Sequence, residues 1–288
     1  MPTVPALAPH QARRLAESFG ADPERYDRTR PRYPQALVDR IVALSPGRDV
    51  LDVGIGTGVS ARPLVAAGCR VLGVEVDARM AAFAAAQGFD VEVGTFEAWD
   101  AGGRTFDAIV AGQTWHWIDP NAGAAKAAGL LRPRGVLAVF WNVQQPPAGL
   151  AQAFAEVYRR VLPGTPFAST PASALDAYDR ILGPTIEGIG ATGAFGKPER
   201  WQFDWTQRYT TDEWLDQVPT FGGHSRFAPA KLEALLTGLG DAIDAAGGSF
   251  AMDYATVAVV APAIRSQDSQ SCEYMEHASR SGIRADRR

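Results

Sequence analysis

The chain of 288 residues predicts an α/β fold with a doubly wound, mostly parallel sheet. Three observations carry this. Short runs of Val, Leu, Ile and Ala recur between segments of helical periodicity. Several of these runs are continuously apolar, the signature of strands buried on both faces. Glycines close several of the strands and helices, as turns between alternating strands and helices require.

Leu37, Val38, Ile41, Val42 and Leu44 fall at helical spacing, and Ser45-Pro46-Gly47 stops that helix. Val50-Leu51-Asp52-Val53 is the first strand and ends in glycines. Residues 59–67 form a helix ended by Gly68, and the run from Val71 to Val76 is the second strand. Residues 77–87 are an Ala-rich helix ended by Gly88, before a short strand at Val91-Glu92-Val93. The run from Phe106 to Ala111 is a buried strand, residues 121–131 are helical, and Gly135 to Trp141 is another buried strand.

Beyond Gln145-Pro146-Pro147 the rhythm changes. Residues up to about 196 read as helical pieces broken by Pro and Gly. The segment from Glu199 to Trp205 alternates with period two, as a half-buried strand does. Thr210 and Glu213 have capping-box spacing, residues 227–246 form the last helix, and Met252 to Val260 alternates again. The polar stretch from 262 onward predicts a disordered tail. The stretch from Tyr26 to Pro34 is read as turn-rich, with a basic cluster at Arg28, Arg30 and Arg32.

Composition narrows the function classes. Twenty-eight Lys and Arg against 32 Asp and Glu leave a formal charge of −4, which gives no footprint for nucleic acid or an anionic membrane. The two cysteines, Cys69 and Cys272, have no metal-ligand spacing, so no metal site is expected. No leader-like or membrane-spanning run stands out, which predicts a cytoplasmic protein.

The most informative element is Asp52-Val53-Gly54-Ile55-Gly56-Thr57-Gly58, between a strand and a helix. Glycines let a ligand approach bare backbone, and the helix start offers free N–H donors. Val59 occupies the sixth position from Gly54, so the dinucleotide pattern G-x-G-x-x-G fails, and no Gly-Lys-Ser/Thr follows. An acid at Asp52 repels a pyrophosphate and suits a ligand carrying an ammonium group and a cationic centre, as S-adenosylmethionine does. Glu75, at the end of the second strand, suits a pair of ribose hydroxyls.

With these residues, Gly73-Val74-Glu75, Gly94-Thr95-Phe96-Glu97, Phe106-Asp107 and Leu131-Arg132-Pro133-Arg134-Gly135, the chain resembles the class I S-adenosylmethionine-dependent methyltransferases over about residues 19–261. Tyr26, Arg30-Pro31-Arg32-Tyr33-Pro34 and His116-Trp117 make it similar to the subgroup of trans-aconitate methyltransferases and related small-molecule enzymes. The resemblance implies a Rossmann-like sheet of seven strands with an antiparallel last strand. It implies S-adenosyl-L-methionine as cofactor, with its amino-acid portion at Gly54, Gly56, Thr57 and Gly58. It implies that Glu75 holds the ribose, that Val76, Thr95 and Phe96 border the adenine, and that Gln113 and Tyr26 meet the methionyl end. Thr95 stands where an acid is commoner in the family.

His116 follows the fourth strand and is read either as a general base or as a pocket-lining histidine. Arg30, Trp117, Trp141, His224 and Arg226 are candidate acceptor-binding residues; the last two sit beside the Gly222-Gly223 pair. The expected organisation is an N-terminal lid at 1–35, a cofactor-binding core at 36–143, a helical cap insertion at 144–198, sheet-completing elements at 199–261 and a disordered tail at 262–288. The expected activity is methyl transfer to a carboxylate or hydroxyl oxygen of a small-molecule acceptor, with no nucleic-acid or membrane partner. Methylation of RNA or protein, and cofactor binding without catalysis, remain open alternatives.

Overall fold

The computed structural model describes residues 19–165 and 174–264. The first half alternates helix and strand: α1 (Pro23–Thr29), α2 (Gln35–Leu44), β1 (Asp49–Val53), α3 (Ala61–Ala66), β2 (Arg70–Glu75), α4 (Ala78–Ala86), β3 (Asp90–Val93), β4 (Phe106–Gly112), α5 (Pro120–Leu130) and β5 (Leu131–Gln145). The second half adds α6 (Ala148–Val161), α7 (Ala174–Ala191), β6 (Glu199–Thr210), α8 (Thr211–Gln217), α9 (Pro229–Ala245) and β7 (Ser249–Pro262). The sheet has seven strands in the order β3-β2-β1-β4-β5-β7-β6. β7 runs antiparallel to both of its neighbours, and the remaining pairings are parallel. This is the fold class expected from the sequence.

Continuous apolar strands follow from burial on both faces. Leu51, Val53, Ile109, Ala111, Leu137 and Val139 pack under α5 and α7. Their neighbours Val50, Ala108, Val110, Val136 and Ala138 pack under α2 and α3. A third cluster joins α6, α8 and α9 through Phe154, Trp214, Leu235, Leu239 and Phe250. Residues 144–198 therefore divide: α6 packs with α9, whereas α7 covers the sheet beside α5. The predicted capping box is present, with Thr210 N–H donating to Glu213 Oε2 at 2.9 Å and Glu213 N–H to Thr210 Oγ1 at 3.3 Å.

Several sequence boundaries shift: β5 starts at Leu131, β6 runs on to Thr210 and α7 continues through Pro184. Tyr26 lies in α1 and not in a turn, because Asp22 caps the first turn and Pro23 suits its start. The ordered chain also passes residue 262, since Ala263 bridges Phe195 and Ile264 N–H donates to Ala194 O. The predicted tail from 265 on lies outside the described residues. The family-like segment Leu131–Gly135 sits far from the glycine turn: Arg132 Nη1 donates to Asp49 Oδ2 at 2.7 Å and Asp107 Oδ2 at 2.8 Å, tying the starts of three strands.

Strand order reverses between β1 and β4. That switch point opens a crevice beyond the carboxyl ends of the strands.

Candidate active site

A cavity of about 510 Å³ fills that crevice. Val53 and Gly54 after β1, Glu75 and Val76 after β2, Thr95 and Phe96 after β3, Gln113 after β4, and Asn142 and Gln144 in β5 form its floor and sides. Phe19, Tyr26, Arg30, Phe221 and Gly222 come from outside the sheet and close over it.

The glycine turn is held by β2 and by its own geometry. Gly54 has φ +70° and its N–H donates to Val74 O at 2.7 Å; a Cβ there would strike Thr114. Gly56 has φ +58° and its N–H donates to Glu75 Oε2 at 2.9 Å. The other Glu75 oxygen accepts from Asp77 N–H at 2.9 Å. Burial pushes the Glu75 carboxyl upward with help from the Asp77 charge, and the backbone amides of Asp77, Gly56 and Val76 oppose this.

Asp52 lies behind the turn and is fully buried. Ser60 Oγ donates to its Oδ2 at 2.6 Å, and Oδ1 has no partner among the described residues. Burial raises its carboxyl to about 7, the Ser60 bond pulls it back, and the Glu75 charge adds to the rise. Thr57 lines the cavity, and its buried hydroxyl has no partner among the described residues.

Gln113 is a non-glycine residue in the left-handed region, at φ 57°. Its backbone N–H donates to Phe140 O at 2.8 Å and its Nε2 to Asn142 O at 3.1 Å. His116 and Trp117 follow in a single 3₁₀ turn, with ring centroids 4.6 Å apart. His116 Nδ1 accepts from Trp141 Nε1 at 3.1 Å, and burial pushes the imidazole down to about 4. Arg30 lays its guanidinium over Tyr26 at 4.4 Å and near Phe221 at 5.4 Å, and donates to the Thr220 carbonyl.

The cavity thus gathers Tyr26, Arg30, Gly54, Gly56, Thr57, Glu75, Val76, Thr95, Phe96, Gln113, His116 and Trp117 from the sequence candidates. Five candidates do not line it, the first being Asp52, buried behind the turn. Gly58 stands off the wall; its φ of +89° and the closeness of Phe89 explain the glycine by packing. Trp141 is fully buried in the sheet core and reaches the cavity only through His116. His224 is 2% exposed and bonded through Nε2 to Tyr158 Oη at 2.9 Å. Arg226 is exposed and does not line the cavity. The Gly-Gly loop does reach the site, through Phe221 and Gly222.

Sequence reasoning missed Tyr33, Met80, Glu97, Asn142 and Gln144 on the wall. Glu97 and Tyr33 stood within motifs already noticed. Asn142 and Gln144 carried a signal too, as polar residues directly following a buried apolar strand.

The residues fit S-adenosylmethionine in three respects. Gly54 and Gly56 line the cavity as bare backbone with positive φ, which a ligand can approach closely. Glu75 keeps a free lone pair on each oxygen after its amide bonds, which suits two hydroxyls. The unpartnered carboxylate oxygen of Asp52 suits a nearby positive charge.

Comparison with known proteins agrees. Residues 51–139 match the methyltransferase domain family model. The chain is 30% identical over 208 residues to uncharacterized methyltransferases of Mycobacterium bovis and Mycobacterium tuberculosis, spanning 72% of this chain and 77% of each relative. A candidate type II methyltransferase from Anaeromyxobacter dehalogenans superposes with a TM-score of 0.57 at 20% identity, over 80% of this chain and 97% of that one. Phosphoethanolamine N-methyltransferase 2 of Haemonchus contortus, in complex with S-adenosyl-L-methionine, gives 0.50 at 14% identity, over 91% of this chain and 61% of that one. Among the described residues no helix is long and apolar enough to cross a membrane. With the glycine turn, the Glu75 carboxylate and a homologous relative along most of its length, the chain belongs to the class I S-adenosylmethionine-dependent methyltransferases.

Proposed function

We propose that the chain transfers a methyl group from S-adenosyl-L-methionine to an oxygen, carboxylate or hydroxyl, of a small-molecule acceptor. The observation that carries this is the roofed cavity. Its volume of about 510 Å³ lies in the range of small-ligand sites. It runs from the glycine turn to Arg30 and Trp117 under the α1 segment. The acidic balance of the chain supports a small acceptor over RNA, and the resemblance to trans-aconitate methyltransferases points the same way.

When bound, the cofactor supplies an electrophilic methyl group on a sulfonium. Gly54, Gly56 and Thr57 hold its amino-acid portion, and Asp52 behind them favours the ammonium. Glu75 accepts the ribose hydroxyls. Val76, Thr95 and Phe96 flank the adenine, and Gln113 and Tyr26 meet the methionyl end. Arg30 and Trp117 hold the acceptor. The aromatic roof of Phe19, Tyr26 and Phe221 excludes water, and alignment in a dry site is the main demand of this displacement.

Isothermal titration with S-adenosylmethionine tests the first half, and binding is expected. A screen of small acids and phenols with methyl-labelled donor tests the second. Label appearing in RNA or protein, with none in any small acceptor, would overturn the acceptor assignment.

A further inference from the structure

The His116–Trp141 pair fixes what His116 can do. An indole N–H only donates, so the 3.1 Å bond from Trp141 Nε1 requires a lone pair on His116 Nδ1. Turning the ring over would put a carbon against the indole N–H and leave a buried donor unpaired. The neutral ring then carries its proton on Nε2. That atom makes no hydrogen bond to the described residues and is not fully inaccessible, and His116 lines the cavity.

We propose that His116 is a fixed neutral hydrogen-bond donor to the methyl acceptor, and that Trp141, from the core, is the positioning residue that sets its tautomer. This rests on the methyltransferase reading above and assigns a role within that site. His116 cannot act as a base through Nε2, which already bears hydrogen. Taking a proton on Nδ1 means breaking the Trp141 bond inside the core, and burial, which by itself holds the imidazole down to about 4, opposes protonation as well. The acceptor oxygen must therefore arrive already deprotonated, as a carboxylate does near neutral pH. Its lone pair forms the new bond to the methyl carbon while the sulfur–methyl bond breaks, the electron pair of that bond staying on sulfur, and no proton passes to His116. Nε2–H meanwhile holds a second acceptor oxygen of the same molecule. Arg30 is the one cation among the described residues lining the cavity and has no carboxylate partner among them, so an acceptor with anionic oxygens fits both groups.

Two measurements on the full chain test this. Nitrogen-15 NMR of histidine-labelled protein, with His116 assigned by loss of its signals in His116→Gln, is expected to show an Nε2–H tautomer that does not titrate between about pH 6 and 8. Trp141→Phe removes the donor that fixes the ring, so an Nδ1–H tautomer should appear beside the Nε2–H one. A wild-type His116 that titrates there, or carries its proton on Nδ1, overturns the proposal. Turnover of a series of small carboxylic acids with methyl-labelled S-adenosylmethionine gives the second readout. His116→Phe should raise KM by about tenfold with kcat little changed, and His116→Gln, which restores an N–H donor, should recover most of that loss. Loss of kcat in both variants alike would mean a base and would overturn the donor role, even if Trp141→Phe fails to fold. Absence of cofactor binding by calorimetry defeats the methyltransferase reading instead, and the NMR outcome is independent of it.

Discussion

Glu75 accepts the Gly56 backbone N–H at 2.9 Å, so the carboxylate expected to hold a ribose also pins the glycine turn. Its other oxygen pins Asp77, the N-cap of α4. A glutamine at this position keeps one acceptor oxygen and turns an NH₂ group toward one of the two amides. Glu75→Gln should therefore cost about 1–3 kcal/mol in urea unfolding, the range for a buried donor left unpaired. Glu75→Ala should weaken S-adenosylmethionine binding by about tenfold or more by calorimetry. Unchanged affinity in a folded Glu75→Ala variant would reduce Glu75 to a brace for the turn.

Asp52 predicts how stability depends on pH. Its carboxyl rises from 3.8 to about 7 on folding. The folded chain therefore holds a proton that the unfolded chain releases above about pH 4. The stabilisation is complete below about pH 4 and is lost as pH rises through about 7, for a total of about 4 kcal/mol. His116 and His224, both pushed down to about 4 by burial, act in the opposite sense as pH falls below about 6.5. The clean comparison is thus wild type against Asp52→Asn, which keeps an oxygen for Ser60 but cannot ionise. Urea unfolding at several pH values should show the variant gaining on wild type as pH rises toward about 8. A constant gap between them would mean that Asp52 stays ionised throughout.

The sheet was legible because its strands are buried on both faces and read as continuous apolar runs, and because glycines mark the turns. The glycine turn and Glu75 were legible because backbone approach and paired hydroxyls each require a particular residue type at a strand end. Trp141 and His224 misled for one shared reason. Sequence gives a side chain's chemistry but not its side of a strand or loop. Trp141 alternates into the core with Val139 and Val143, and His224 turns inward to Tyr158 while Phe221 and Gly222 of the same loop reach the cavity. The neighbours Arg28 and Arg30 differ for the same reason. Arg28 pairs with Asp216 on α8 at 2.9 Å, whereas Arg30 faces the aromatic roof. Such pairings depend on contacts distant along the chain, which local periodicity does not encode.

Gln113 offers a test that separates strain from function. A non-glycine residue at φ 57° costs about 1–2 kcal/mol relative to glycine. Its Nε2 bond to Asn142 O returns about 1 kcal/mol. Gln113→Ala keeps the strain and loses the bond, so it should destabilise by about 1 kcal/mol. Gln113→Gly loses the same bond but relieves the strain, offset by about 0.5–1 kcal/mol of extra chain entropy in the unfolded state. The glycine variant should therefore unfold at equal or higher urea than the alanine variant. If the side chain meets the methionyl end of the cofactor, both variants should lose affinity for S-adenosylmethionine to a similar extent, whatever their order in stability. Normal binding in both would leave Gln113 as a tie between β4 and β5, and the strain at φ 57° would then have a structural cause alone.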